Sequence, residues 1–141
     1  MKLHVREVDV WAASIEDQIG SLALRLAALS EAGSNLEFVI ARRTPEEPGR
    51  GIVFVTPVMG AKQISTAESA GFMRTGSLHS VRIEGADEPG LDAAITKALA
   101  EAGLNLRGFT ATAIGRRFVA YLALDSVEDA QKAVRALKKL S

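Results

Sequence analysis

The chain has 141 residues, 48% hydrophobic and 24% charged, and 17 Lys plus Arg balance 17 Asp plus Glu to a formal net charge of zero. This composition suits a folded chain of one domain or two very small ones, and it lacks the basic excess by which nucleic-acid binders displace counterions from phosphates. There is no cysteine, which excludes disulfides, thiolate nucleophiles, Fe–S clusters and thiolate zinc sites; His4 and His79 alone cannot build a histidine-rich metal site, and no cofactor is expected.

The opening MKLHVREVDVW alternates charged with apolar residues and has no signal-peptide core. No apolar run approaches the roughly 20 residues of a membrane span, so the expected location is the cytoplasm, with no membrane partner. Val5 to Ser14 reads as a strand and about Gln18 to Ala32 as a helix. Strands near Leu36 to Arg43 and Gly51 to Thr56 follow, joined by TPEEPGR, and a shorter helix runs from about Gly60 to Ala70. Phe72 to Glu84 is long enough for two extended strands. Val81 and Ile83 alternate there with Arg82 and Glu84, as in a half-buried strand. Asp87-Glu88-Pro89-Gly90 then opens a helix, with an apolar stripe from Leu91 to Ala102 and a left-handed Gly103 at its end. Asn105 to Ile114 and Arg117 to Leu124 read as strands around a Gly115-Arg116 turn. SVEDAQKAVRALKKL closes the chain as a helix with a Ser cap, early acids and late lysines.

The chain is written twice. Shifted by 70 positions, ten of the twenty residues from Asp17 to Leu36 are identical to their counterparts, and the block EAGxNL recurs without a gap. The copies are expected at residues 1–70 and 71–141, each ordered strand, helix, strand, strand, helix. The second copy has no closing strand of its own, whereas the N-terminal stretch is long enough for two. About Lys2 to Glu7 is therefore expected to supply the missing strand, interlocking the copies, so that an isolated half folds poorly.

A strand, then D-x-P-G-x-L opening a helix, then A-x-x-G-x-N-I opening the next strand, resembles the ACT domain. Copy two shows Asp87-Glu88-Pro89-Gly90 and later Gly103-Leu104-Asn105-Leu106; copy one shows Asp17-Gln18-Ile19-Gly20 and Gly33-Ser34-Asn35-Leu36. The chain is similar to small stand-alone tandem ACT proteins that carry no catalytic domain. The resemblance implies an α+β fold of two ferredoxin-like βαββαβ domains side by side, with antiparallel sheets and helices on one face. It also implies an amino-acid effector bound at the junction of the copies. Carried over residue by residue, the binding positions are Asp17, Gln18, Ile19, Gly20 and Asn35 in copy one, and Asp87, Glu88, Pro89, Gly90 and Asn105 in copy two. Three departures stand out: Ile19 replaces the usual Pro, Asp92 occupies a Leu position, and Ile15 and Gly85 stand where some relatives place a ligand-contacting His.

The chemistry agrees with a zwitterionic ligand. Glycines at a helix start expose backbone N–H groups to a carboxylate, while Asp17 and Asp87 suit an ammonium group and the Asn amides either end. Taken without the resemblance, the same residues serve as helix caps and turns. Trp11, with Ala13 and Ile15 on its face, is expected in the core; Val8, Val10 and Ala12 are expected on an apolar outer face. Arg42, Arg43 and Arg50 read as a solvated charged loop, with a lid over a site as the minority reading. No nucleophile–base pair, metal spacing or phosphate-binding loop points to catalysis. Aromatics at 5%, unclustered, speak against RNA stacking. The sequence therefore describes a non-catalytic amino-acid-binding regulatory or sensor module, with a structural or oligomerisation subunit as the alternative. Its expected partners are the effector, and a regulated enzyme or a second copy.

Overall fold

The structure, a computed structural model, describes residues 2–74 and 79–141. In chain order they form β1 (Leu3–Val8), β2 (Trp11–Glu16), α1 (Ser21–Glu31), β3 (Phe38–Arg43), β4 (Arg50–Thr56), α2 (Gly60–Ser69), β5 (Met73–Arg74), β6 (His79–Ala86), α3 (Leu91–Glu101), β7 (Gly108–Ile114), β8 (Arg117–Leu124) and α4 (Val127–Leu140). They build two antiparallel four-stranded sheets, ordered β1-β6-β8-β7 and β3-β4-β2-β5. The chain divides into two compact units, one of Met1–Val8 with Gly76–Ser141 and one of Asp9–Thr75. The fold class is α+β, two ferredoxin-like repeats, as the sequence implies.

The exchanged strand is present. β1 pairs along its whole length with β6, from Leu3 opposite Gly85 to Val8 opposite Ser80. Leu3 and Val5 point into a core with Val81, Ile83, Ile95, Leu99 and Leu137, and β1 packs against α4. Its first amide donates to Ser141 Oγ at 2.8 Å, joining the strand to the end of α4. In the other unit, β5 closes the sheet by pairing with Trp11 and Ala12. Residues 75–78, the middle of the linking segment read from the sequence, lie outside the described residues.

Several boundaries differ from the sequence reading. The N-terminal stretch forms the two strands its length allows, β1 and β2 in different sheets, so the copy-one strand read from Val5 begins instead at Trp11. Val10, expected on an outer face, sits at that break and is buried, 6% exposed. β3 starts at Phe38 rather than Leu36 and β7 at Gly108 rather than Asn105, since the residues before them are the exit turns of helices.

Those turns follow from glycine chemistry. At the end of α1, Gly33 takes φ 85°, Ser34 N–H donates to Leu29 O and Gly33 N–H to Ser30 O. Gly103, at φ 77°, repeats the pattern with Leu104 N–H to Leu99 O and Gly103 N–H to Ala100 O. This is the paired capping motif that satisfies the last helical carbonyls and needs a left-handed residue. The copy-one core is Trp11, Ala13, Ile15, Leu29, Val53, Val55, Ala67 and Phe72, with Trp11 inside as expected. Each fully buried Leu, Val or Phe there contributes about 1.5–3 kcal/mol of transfer free energy.

Candidate ligand site

In each unit the loop after the first central strand makes the same turn. Gln18-Ile19-Gly20-Ser21 closes with Ser21 N–H donating to Gln18 O at 3.2 Å, and Gly20 stands at φ 87°, ψ −7°. Glu88-Pro89-Gly90-Leu91 matches it, with Leu91 N–H to Glu88 O at 3.2 Å and Gly90 at φ 78°, ψ 9°. A positive φ at the third position is the signature of a type II turn, which favours Pro at the second and Gly at the third. The helices therefore begin after the turn, at Ser21 and Leu91. Asp87 and Pro89 do not sit in a first helical turn, and the caps are Gly20 and Gly90, with no side-chain cap bond. Asp17 and Asp87 are held instead by their backbones: Asp17 N–H donates to Gly49 O and Asp87 N–H to Arg116 O, each tying the loop to the tip of a hairpin.

Freed from capping, the Asp17 carboxylate accepts a hydrogen bond from Arg43 Nε at 2.8 Å, forming an ion pair. On the other face of the sheet, Arg50 donates to Ser14 Oγ at 2.8 Å. Asp17 and Arg43 line an open cleft of about 220 Å³ together with Ile15, Glu16, Gln18, Ser21, Leu22, Ala41, Arg42 and Gly51. Ile15, Leu22, Ala41 and Gly51 form its apolar part, and Glu16, Asp17, Arg42 and Arg43 bring two acidic and two basic residues to its lining. Gly51 shapes the floor, because a Cβ there would stand 2.8 Å from Arg42 O and 3.5 Å from Ile15 Cγ1.

The structure brings Asp17 and Gln18 to the cleft and leaves Asn35 away from it. Glu16 opposes Arg50 at one end of β4, whereas Phe38, just after Asn35, opposes Thr56 at the other end. Six residue steps separate those ends, roughly 20 Å at strand spacing. Asn105 is likewise remote from Asp87 within its own unit, since Ala86 opposes Arg117 and Gly108 opposes Ala123. Asp87, Glu88, Pro89 and Gly90 are exposed. Ile19 is fully exposed, and nothing lies within 4 Å of a Cβ built on Gly20 or Gly90.

The second unit carries a different polar cluster. Arg82 donates through Nε to Tyr121 Oη at 3.2 Å and through NH2 to Glu84 Oε2 at 2.9 Å, and Arg117 donates to Glu84 Oε1 at 2.9 Å. The hydrogen bond from Arg117, then that from Arg82, hold the Glu84 carboxyl below the ordinary carboxylate range. This cluster corresponds to Arg50 and Ser14 in the first copy. Among the described residues no group of three or more His, Cys, Asp or Glu could hold a metal ion, and no helix is long and apolar enough to cross a membrane.

The profile of the ACT domain matches residues 79–141. The second copy is an ACT domain. The first repeats its element order, its type II turn and its EAGxNL block, so the chain carries the ACT fold twice. No curated protein sequence matches the chain. Among solved structures, a Bacteroides thetaiotaomicron protein is similar with a TM-score of 0.79 at 14% identity, covering 95% of this chain and 90% of that one. The ligand-free regulatory subunit of aspartate kinase from Thermus thermophilus gives a TM-score of 0.67 at 20% identity, covering 99% and 96%. Aspartate kinase from Clostridium acetobutylicum gives 0.60 at 14% identity, covering 99% of this chain and 34% of that enzyme. At these identities the likeness is one of fold.

Of the residues lining this cleft the sequence named Asp17 and Gln18; it read Arg42 and Arg43 as a solvated loop, with a lid as the minority reading, and did not single out Ser21, Ala41 or Gly51. The usable signal is the hairpin. The offset between copies falls from 70 at Ile15 and Gly85 to 67 at Gly51 and Phe118, because TPEEPGR lengthens the first hairpin. A constant offset of 70 sets Gly51 against the wrong residue.

Proposed function

We propose that this pair of ACT repeats is a non-catalytic, cytoplasmic regulatory module that binds an amino acid at the loop after the first central strand of a copy and passes the signal to a partner enzyme. The observation that carries this reading is the Asp17–Arg43 pair at a cleft that is partly apolar: the carboxylate matches an ammonium and the guanidinium a carboxylate. The volume, about 220 Å³, falls below the about 300–1,000 Å³ of drug-sized ligand pockets and suits a single amino acid. The fold shared with the Thermus thermophilus regulatory subunit supports a role in controlling an enzyme of amino-acid metabolism. Regulation then requires that the amino acid bind one conformation of the module more tightly than another.

Thermal unfolding of the full chain against the twenty amino acids tests this. A ligand at 100 times its Kd stabilises by about 2.7 kcal/mol, a rise in Tm of several degrees. A set of twenty flat responses would refute amino-acid binding. The second reading, an interaction subunit without a ligand, draws on β7, an uncharged strand at the edge of its sheet whose last residue, Ile114, is 75% exposed. It is favoured if those flat responses come with concentration-dependent association in sedimentation.

A further inference from the structure

The two copies share a fold but not a site. Strand register gives their correspondence: Ile15 opposes Gly51, which opposes Arg43 in the first unit, and Gly85 opposes Phe118, which opposes Ala113 in the second. Where the first copy has Gly51 on the cleft floor, the second has Phe118, 6% exposed and part of its core cluster. Where the first copy has Ser21 at the cleft wall, the second has Leu91, 2% exposed in the same cluster. Arg43 has only Ala113 as its counterpart, so Asp87 meets no guanidinium there. On the Gly85 side the space is also taken, since a Cβ built there would meet Leu3 Cδ2 and Lys2 O at 2.8 Å.

We infer that the chain has one amino-acid site rather than two, in the first copy, and that the second copy is a packed scaffold whose equivalent space is filled by Phe118 and Leu91. This rests on the reading of the chain as an amino-acid-binding module. The cleft also sets the ligand class. Glu16, Gln18, Ser21 and Arg42 also line it, but the part formed by Ile15, Leu22, Ala41 and Gly51 is apolar, and a charged or strongly polar side chain laid against that part is buried without a partner, which is unfavourable. Its mouth offers Asp17 and Arg43, and among the described residues only one hydrogen bond joins them, between Oδ2 and Nε. Asp17 Oδ1 and the terminal guanidinium nitrogens remain for an ammonium and a carboxylate, the latter in the planar arrangement that arginine favours. The ligand is an α-amino acid with a short aliphatic side chain, held by the ion pair at its charged end and by the Gly51 floor at the other.

Titration calorimetry of the full chain with L-alanine, L-valine and L-leucine, against L-lysine and L-glutamate, tests the inference. The expected result is one site per chain for an aliphatic amino acid, with binding at least tenfold weaker for lysine and glutamate. Arg43→Gln and the cleft-filling Ala41→Phe each weaken binding at least tenfold; both residues are exposed, and circular dichroism checks that the variants remain folded. Asp87→Asn leaves affinity within twofold of the parent. Two sites per chain, equal binding of charged amino acids, or loss of binding in Asp87→Asn but not in Arg43→Gln overturns the single-site assignment while leaving an amino-acid module intact. Absence of binding by all five amino acids, with no response to the other fifteen, removes both.

Discussion

Removing the apolar anchors of β1 should unfold a unit that is distant in sequence. Leu3 and Val5 are 6% and 8% exposed, and their side chains lie in the core built by β6, β8, α3 and α4. The double substitution Leu3→Ala, Val5→Ala deletes five buried carbons, about 4 kcal/mol at about 0.8 kcal/mol per methylene. Edge strands relax more readily than central ones, so the loss falls at or below that value. Native-state hydrogen exchange followed by mass spectrometry reads it segment by segment. At about 1.4 kcal/mol per tenfold, exchange in β6, β8 and α4 should accelerate by roughly 10²–10³-fold. Protection of β2 and β4, which lie in the other unit, should change little. Acceleration confined to 11–16 and 50–56, with 79–86 unaffected, would contradict the pairing of β1 with β6.

Three further outcomes follow from single residues. Ile19 occupies the second position of a type II turn and is fully exposed; Ile19→Pro should stabilise by about 0.4–1 kcal/mol in urea unfolding, and a destabilised variant would show that the turn is misassigned. Glu84 has a folded pKa held below its unfolded value by Arg117 and Arg82, so its stabilising effect is complete above about pH 4.5 and is lost as pH falls through the lower, folded value. Glu84→Gln should therefore flatten the stability profile below about pH 4.5, and an unchanged acid limb would count against the network. Ser126 Oγ accepts from Asp129 N–H at 3.0 Å to cap α4; Ser126→Ala should cost about 1 kcal/mol of stability, and an effect below the error of a urea midpoint would mean that solvent replaces the cap.

Much of this molecule is readable along the chain. Ten identities across a shift of 70 residues mark the duplication, and the spacing of Leu91, Ile95 and Leu99 marks the buried face of α3. Gly103 ends its helix in the left-handed conformation expected of it, Gly33 does the same in the first copy, and Trp11 lies inside as its alternation with Ala13 and Ile15 predicts. Even the exchanged strand follows from counting: one extended stretch too many at the N-terminus, one too few after α4. Such features depend on residues a few positions apart, where periodicity and turn chemistry act alone.

The site depends on other distances. That Asp17 meets Arg43 rather than capping α1, that Asn35 stands at the far end of β4, and that Gly51 opens a floor where Phe118 fills one are consequences of strand register. Register is set by long-range pairing and by the length of the connecting hairpin, and a slip of one residue sends every side chain to the opposite face. The sequence by itself therefore determined the elements, their order and their duplication. Only the tertiary structure decided that the first copy's loop lies at a cleft with Arg43 and Gly51, because that turns on residues brought together across strands rather than along them.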